Sequence, residues 1–417
     1  MHKRDFLRTL GGASLGLMLP PAQLRALSAL SPAALASRDD FWGELRGKYK
    51  VPADFIHLEH GYYSMQSQPV LEQYVQHIRD VNALSSRYMR TVQVPNKARV
   101  QAKLAALAGC TPQELIITRN TTESLDTVIS GFDWKPGDEA IMSVHDYGAM
   151  LDQFKLMERR WGTVNRRVTV PLDPQSDDEV VQVYANAITP RTKLLMVCHL
   201  INITGHVLPV RKICDMAHAR GVPVMVDGAH AFAQIDFKIP DLDCDFYGAS
   251  LHKWLGTPLG AGILYVKPGN VEKLWPLYGD EGFAASDIRK LNHTGTHPVH
   301  TDLAIEDAIA FHEAIGIQRK QERLRWLQQY WTTKVRGVAG ITLYTPSDPA
   351  RTGAIANVGV NRLKPGELST ALMERYKIFT VAINTAGVSG VRVTPQLFTT
   401  TAELDTLVRA LKELALG

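Results

Sequence analysis

Short apolar runs, each bounded by glycine or a polar turn, recur through the middle of the chain. Val222 to Val226, between Gly221 and Gly228, reads as a buried strand that ends in Asp227. Gly262 to Val266 reads the same way and follows a glycine-rich turn. Lys193 to Cys198, Glu139 to Val144, Leu115 to Thr118 and the short Phe55 to Leu58 complete the set. Between them lie helical patterns. Asn120 followed by Glu123 is a helix-start signature before the apolar-periodic segment Leu125 to Ile129. Residues 210–220 are helical in pattern and Gly221 ends them. Strand, helix, strand at this spacing predicts a parallel sheet. From Asp302 to Val335 the pattern is one long helical region punctuated by Gly316, and residues 340–417 read as a small α/β unit. Residues 39–60 read as a helix and the short strand.

Composition narrows the classes. The 417 residues, 45% hydrophobic and 21% charged, are enough for one large and one smaller domain with a sizeable core. The net charge of +4 is spread along the chain with no basic run interleaved with aromatics, which excludes a nucleic-acid reading. No apolar stretch is long enough to span a bilayer. Cys110, Cys198, Cys214 and Cys244 match no zinc spacing, and Cys198 in its apolar run reads as a buried thiol. The N-terminus reads as an export signal: Lys3 and Arg4, a mildly apolar stretch from Leu10 to Leu19, and small residues at Ala34-Leu35-Ala36 for cleavage. H-K-R-D-F-L-R resembles a twin-arginine signal, with Lys3 in place of the first arginine. This predicts a periplasmic protein starting near Ser37.

Candidate chemistry gathers where the sheet strands end. In an open α/β sheet ligands sit at the carboxyl ends of the strands, which is where Asp227 stands. Lys253 follows, flanked by His252, Trp254 and Leu255. Apolar neighbours disfavour its charged form, as a Schiff-base lysine requires. A carboxylate beside a pyridine nitrogen keeps that nitrogen protonated. Asp227 and Lys253 fit those two roles for pyridoxal phosphate. Taken singly, the aspartate reads as a cap and the lysine as a solvated group.

The combination carries a resemblance. DGAHA, then D-x-D-F-Y-G-A-S-x-H-K-W-x-G-x-P-x-G-A-G-I-L, closely resembles the cofactor-lysine region of class V aminotransferase-fold enzymes, within them the isopenicillin N epimerase-like branch. The resemblance implies an α/β, type I pyridoxal-phosphate architecture with a mostly parallel seven-stranded-type sheet. It implies an export signal over 1–36, a large domain over 61–300 and a small domain from 37–60 and 301–417. It assigns phosphate binding to Thr121 and Thr122 of N-T-T-E-S, with further phosphate contacts from Ser250 and His252. Tyr147 takes the stacking position, Asn202 a cofactor contact, and His230 a hydrogen bond to the ring hydroxyl. Thr296, in the loop Leu291 to Pro298, would reach the phosphate of a second copy, which implies a homodimer. Arg392 in V-R-V-T-P stands where the substrate-carboxylate arginine stands, and a planar guanidinium suits a carboxylate. By chemistry alone each of these has a plainer role, as a helix cap, core tyrosine, turn residue or salt bridge.

Two other classes compete. A metal hydrolase would use Asp227, His199, His206 or His230, but these lack a compact spacing such as H-E-x-x-H. A fold member that has lost catalysis is disfavoured by Lys253, Asp227 and Arg392 standing together. A cysteine desulfurase needs a thiol in the C-terminal part, and every cysteine precedes residue 245. An amino acid or peptide-like small molecule is the expected substrate. Transamination ranks ahead of epimerisation or elimination, with Lys253, Asp227 and Tyr147 at the centre. One base on one face suffices for it, whereas epimerisation needs a second acid, for which Tyr62, His293 and His297 are the candidates.

Overall fold

The computed structural model describes residues 29–417. In chain order the elements are α1 (Pro32–Ala36), α2 (Asp39–Arg46), β1 (Ile56–His57), α3 (Gln68–Thr91), α4 (Gln93–Ala108), β2 (Leu115–Thr118) and α5 (Thr121–Gly131). Then come β3 (Glu139–Ser143), α6 (Gly148–Trp161), β4 (Val164–Val168), α7 (Asp177–Ala185), β5 (Thr192–Cys198), α8 (Val210–His218), β6 (Val224–Asp227), β7 (Phe246–Ser250) and β8 (Gly262–Val266). The C-terminal part holds α9 (Val299–Ile315), α10 (Ile317–Val335), β9 (Ile341–Leu343), β10 (Ala356–Val360), α11 (Pro365–Tyr376), β11 (Ile378–Phe379), β12 (Val381–Thr385), β13 (Val388–Val393) and α12 (Thr401–Leu416).

Seven strands form the main sheet in the order β2-β8-β7-β6-β5-β3-β4. All neighbours are parallel except β8, which runs antiparallel to both β7 and β2. The continuous apolar runs follow from burial on both faces. On β5, Leu195 and Val197 enter one core cluster, while Leu194 and Met196 enter the cluster on the opposite face. Each such side chain contributes about 1.5–3 kcal/mol by leaving water. Gly228 sits just past β6, where an added Cβ would come within 1.9 Å of the Tyr247 ring. Gly316, at φ 90°, separates α9 from α10, so the long helical region becomes two helices at the expected point.

The C-terminal strands form an antiparallel sheet, β12-β13-β10-β9. Val391 and Val393 of β13 point into its core, so strand alternation turns Arg392 to the other face. β1 pairs with β11 in parallel, Ile56 opposite Ile378, and Glu59 bridges to Thr394. These contacts bring residues 56–62 beside β13.

The expected export boundary falls on packed residues. The export motif from Lys3 to Leu19 lies outside the described residues, but Ala34-Leu35-Ala36 belongs to the folded body. Ser31 caps α1, and Leu35 is fully buried. Trp42 Nε1 donates to the Leu35 carbonyl, and the buried Arg323 donates to the Ala36 carbonyl at 2.9 Å. A chain beginning at Ser37 would leave Arg323 short of an acceptor inside the protein, at a cost of about 1–3 kcal/mol or more. All four cysteines are free thiols.

Glu139, the fully buried first residue of β3, supplies a pH prediction. Hydrogen bonds from Arg166 above all, and from Thr189 and Arg191, outweigh burial and lower its carboxyl from 4.5 to about 2. The sign follows from linkage: the stabilisation is complete above 4.5 and lost as pH falls through about 2. Thermal melts of the wild type and of Glu139→Gln should therefore differ most near neutral pH. The gap should narrow as pH drops below 4.5. A gap independent of pH would show that the carboxylate charge is not its source.

Candidate active site

The carboxyl ends of β5, β6 and β7 lie side by side, with Cys198 opposite Asp227 and Asp227 opposite Gly248. The parallel strands stop there and the chain turns away, which leaves a cavity of about 370 Å³. Asp227, His230, Ser250, His252, Lys253, Thr121, Thr122, Tyr147, Asn202 and Arg392 all line it. Ten residues singled out from the sequence thus share one cavity. Thr296 does not line it and is exposed.

Lys253 Nζ lies 3.0 Å from His230 Nε2. Trp254 Nε1 donates to His230 Nδ1 at 3.3 Å. An indole nitrogen only donates, so Nδ1 accepts and the neutral imidazole carries its proton on Nε2. That proton meets a lone pair on Nζ, so this contact favours the neutral form of Lys253. The electrostatics agree. Burial lowers Lys253 from 10.5 to about 8, against the opposing pull of the Asp227 carboxylate. Burial also pushes His230 well below its ordinary value and raises Asp227, whose Oδ1 accepts the Ala229 amide at 3.0 Å. From behind, the buried Lys320 donates to the Trp254 carbonyl and braces the loop that carries Lys253.

The opposite end of the cavity suits an anion. Asn120 caps α5, its side chain accepting from Glu123, and Thr121 and Thr122 open the helix at its positive end. Ser250 Oγ accepts the Thr121 amide at 2.9 Å and lies 2.7 Å from Thr121 Oγ1. The buried Nδ1 of His252 has no hydrogen-bond partner within the protein. Buried polar atoms are nearly always paired, so this orphan calls for an outside ligand.

Arg392 is occupied from behind. Its Nε and Nη2 donate to Glu59 at 3.1 and 2.6 Å, both side chains being buried. Sequence reading missed Glu59, because nothing local marks it; only the β1–β11 and Glu59–Thr394 pairings bring it there. Cys198 also lines the cavity, as a thiol that burial pushes well up. His199 and His206 are buried elsewhere, with burial lowering each to about 4. His293 and His297 do not line the cavity, and His297 pairs with Asp302; Tyr62 does line it.

A mostly parallel seven-stranded sheet with a buried lysine and aspartate at its carboxyl edge defines the type I pyridoxal-phosphate-dependent transferase fold. Solved structures agree. A cysteine desulfurase from Escherichia coli matches with a TM-score of 0.77 at 21% identity over 93% of this chain and 98% of its own. A cystine C–S lyase in complex with its product cysteine persulfide matches with a TM-score of 0.78 at 21% identity, covering 87% of this chain and 98% of its own. These likenesses concern the fold. Residues 63–410 match the family described as Aminotransferase class-V, and the chain belongs to that pyridoxal-phosphate family. Among curated relatives, the isopenicillin N epimerase of Streptomyces clavuligerus is 31% identical over 336 residues, 76% of this chain and 84% of that protein. That of Amycolatopsis lactamdurans is 32% identical over 335 residues, 75% of this chain and 83% of that protein. A cysteine desulfurase of Escherichia coli is 28% identical over 296 residues, 68% of this chain and 70% of its own.

Proposed function

We propose that this protein uses pyridoxal phosphate to rework the α-carbon of an amino acid or an amino-acid-containing metabolite, by transamination first. One observation carries the reading: Lys253, beside His230, and the buried Asp227 line one cavity together with the N-terminus of α5. The orphaned His252 Nδ1 supports the fit of these residues to the cofactor. Thr121, Thr122, Ser250 and His252 would hold its phosphate, Asp227 its ring nitrogen, Tyr147, Asn202 and His230 its ring, and Lys253 its carbonyl carbon.

When bound, the cofactor supplies an electron-withdrawing ring that acidifies the substrate's α-hydrogen. The remaining work falls to the chain. Arg392 orients a carboxylate by a planar hydrogen-bonding fork. The walls formed by Tyr147, Met150 and Cys198 limit water at the reacting carbon. Lys253 Nζ, neutral when free, takes the α-proton and delivers it again on the same face.

Epimerisation is the second reading. The curated relatives named above favour it, as does Tyr62, a cavity-lining hydroxyl that could serve as the second acid. Incubation with an L-amino acid in deuterated water, without an oxo-acid, separates the two. Transamination releases one oxo-acid per active site. A D-isomer carrying deuterium at its α-carbon, without oxo-acid, would reverse the order.

Arg392→Lys keeps the charge and loses the fork. It should weaken carboxylate substrates by roughly 1.5–3 kcal/mol, read as a raised KM while the cofactor's visible band persists. Unchanged kinetics for every carboxylate substrate would make Arg392 structural.

Export and homodimerisation belong to the same proposal. Residues 3–19 support export, with a mature N-terminus upstream of Ser31 rather than at Ser37. A second copy is supported by α3, which leaves Leu71, Val75 and Ile78 exposed along one stripe, and by Thr296, which is exposed and does not line its own chain's cavity.

A further inference from the structure

We propose that Glu59 is a specificity-determining residue: as a fixed counter-ion to Arg392, it sets how strongly the site takes a free carboxylate over the neutral carboxamide. This rests on the reading of Arg392 as the substrate's anchor.

The pair is built rather than incidental. Glu59 Oε2 accepts Arg392 Nε at 3.1 Å, and Oε1 accepts Arg392 Nη2 at 2.6 Å. Oε1 also accepts the Tyr62 amide at 3.0 Å. His60 and Gly61 donate their amides to Thr394 Oγ1 at 2.6 and 3.1 Å, which ties down the backbone beside Glu59. Gly61 lies over the pair, and a Cβ there would stand 3.1 Å from the guanidinium carbon and 3.2 Å from Oε1. Glu59 is therefore held in place, and swinging it aside would strip a buried carboxylate of three hydrogen bonds.

Glu59 also stands behind the site. Arg392 lines the cavity and Glu59 does not. A guanidinium has five N–H groups. Glu59 takes the Nε group and one on Nη2, and the Asn202 carbonyl accepts from Nη1 at 3.4 Å. One N–H on each terminal nitrogen remains for a ligand in the cavity that Arg392 lines. A substrate carboxylate bound there would share one positive charge with Glu59. The two carboxylates repel each other, the more strongly because Glu59 and Arg392 are both buried. A carboxamide oxygen accepts from the same N–H groups without that repulsion.

The test uses the cofactor-loaded protein and two probes, 2-methylalanine and 2-methylalaninamide, which lack an α-hydrogen and so cannot lose one. Affinity for each is read from the visible absorbance change at fixed pH. Glu59→Gln keeps the shape and removes the charge, and it should raise the ratio of carboxylate to amide affinity roughly ten-fold. Glu59→Ala should move the ratio in the same direction. Glu59→Asp, which keeps the charge, should leave the ratio near that of the wild type. An unchanged ratio in both charge-removing variants would overturn the proposal. So would a selective loss of carboxylate affinity, which would mean that Glu59 only props Arg392 in place. A wild-type protein that gains no visible band with pyridoxal phosphate would fail at the earlier step, the cofactor reading itself.

Discussion

Replacing Lys253 with alanine should abolish covalent cofactor attachment and lower turnover by at least about 10²–10⁴, the range of a lost general base. Wild-type protein reduced with borohydride should yield a pyridoxyl-modified peptide containing Lys253, and the variant should not. The effect is large because this amine has two jobs, holding the cofactor and carrying the α-proton. Both need the neutral form, which burial favours by lowering Lys253 to about 8. The rate at which cofactor-free protein takes up pyridoxal phosphate should therefore rise with pH through about 8, as the ammonium loses its proton. A small primary amine added to Lys253→Ala should restore part of the turnover, which a purely structural lysine would not allow. A modified peptide from elsewhere in the chain would move the assignment.

Asp227→Ala should lower kcat by about 10–200-fold while the visible band persists, because Lys253 stays in place. That range corresponds to the roughly 1.5–3 kcal/mol of a hydrogen bond to a charged group. The cause is local. Asp227 is buried at the end of β6, where desolvation raises its pKa and the Ala229 amide and Lys253 oppose the rise. A carboxylate in such a place is stabilised by a cation brought against it, and a protonated ring nitrogen is one. Asp227→Glu should recover part of the loss. Asp227→Asn, isosteric but uncharged, should not. Equal rates for Asn and Asp would show that shape, not charge, is what the site uses.

Much of the site was legible in the chain because its residues are tied to element ends. A strand that ends in aspartate and a capped helix opening with two threonines are each set by local backbone chemistry, and Lys253 is marked by its apolar neighbours Trp254 and Leu255. The ligand end of a parallel sheet then brings them together. Helices α3 and α4 were not read from the pattern: α3 leaves much of its length exposed and α4 has only a narrow buried face, so periodicity marks them weakly. β7 was missed as a strand because its buried run, FYGAS, mixes small and polar residues with two aromatics. The cleavage boundary is ambiguous in the chain because small residues at 34–36 mark a processing site and a tight packing site alike.

The sequence by itself determined the kind of chemistry. Asp227, Lys253 and the N-T-T-E-S turn lie at or just past the ends of elements of one sheet, whose topology dictates where they meet. The tertiary structure decided the charge state and the neighbours. Lys253 is pushed toward its neutral form because it is buried and because Trp254 sets the tautomer of His230, a geometric fact that spacing does not encode. Arg392 meets the cavity already neutralised by Glu59, 333 residues away in the chain. Contacts over that separation depend on how strands pair and sheets pack, and no local pattern of residues carries that information.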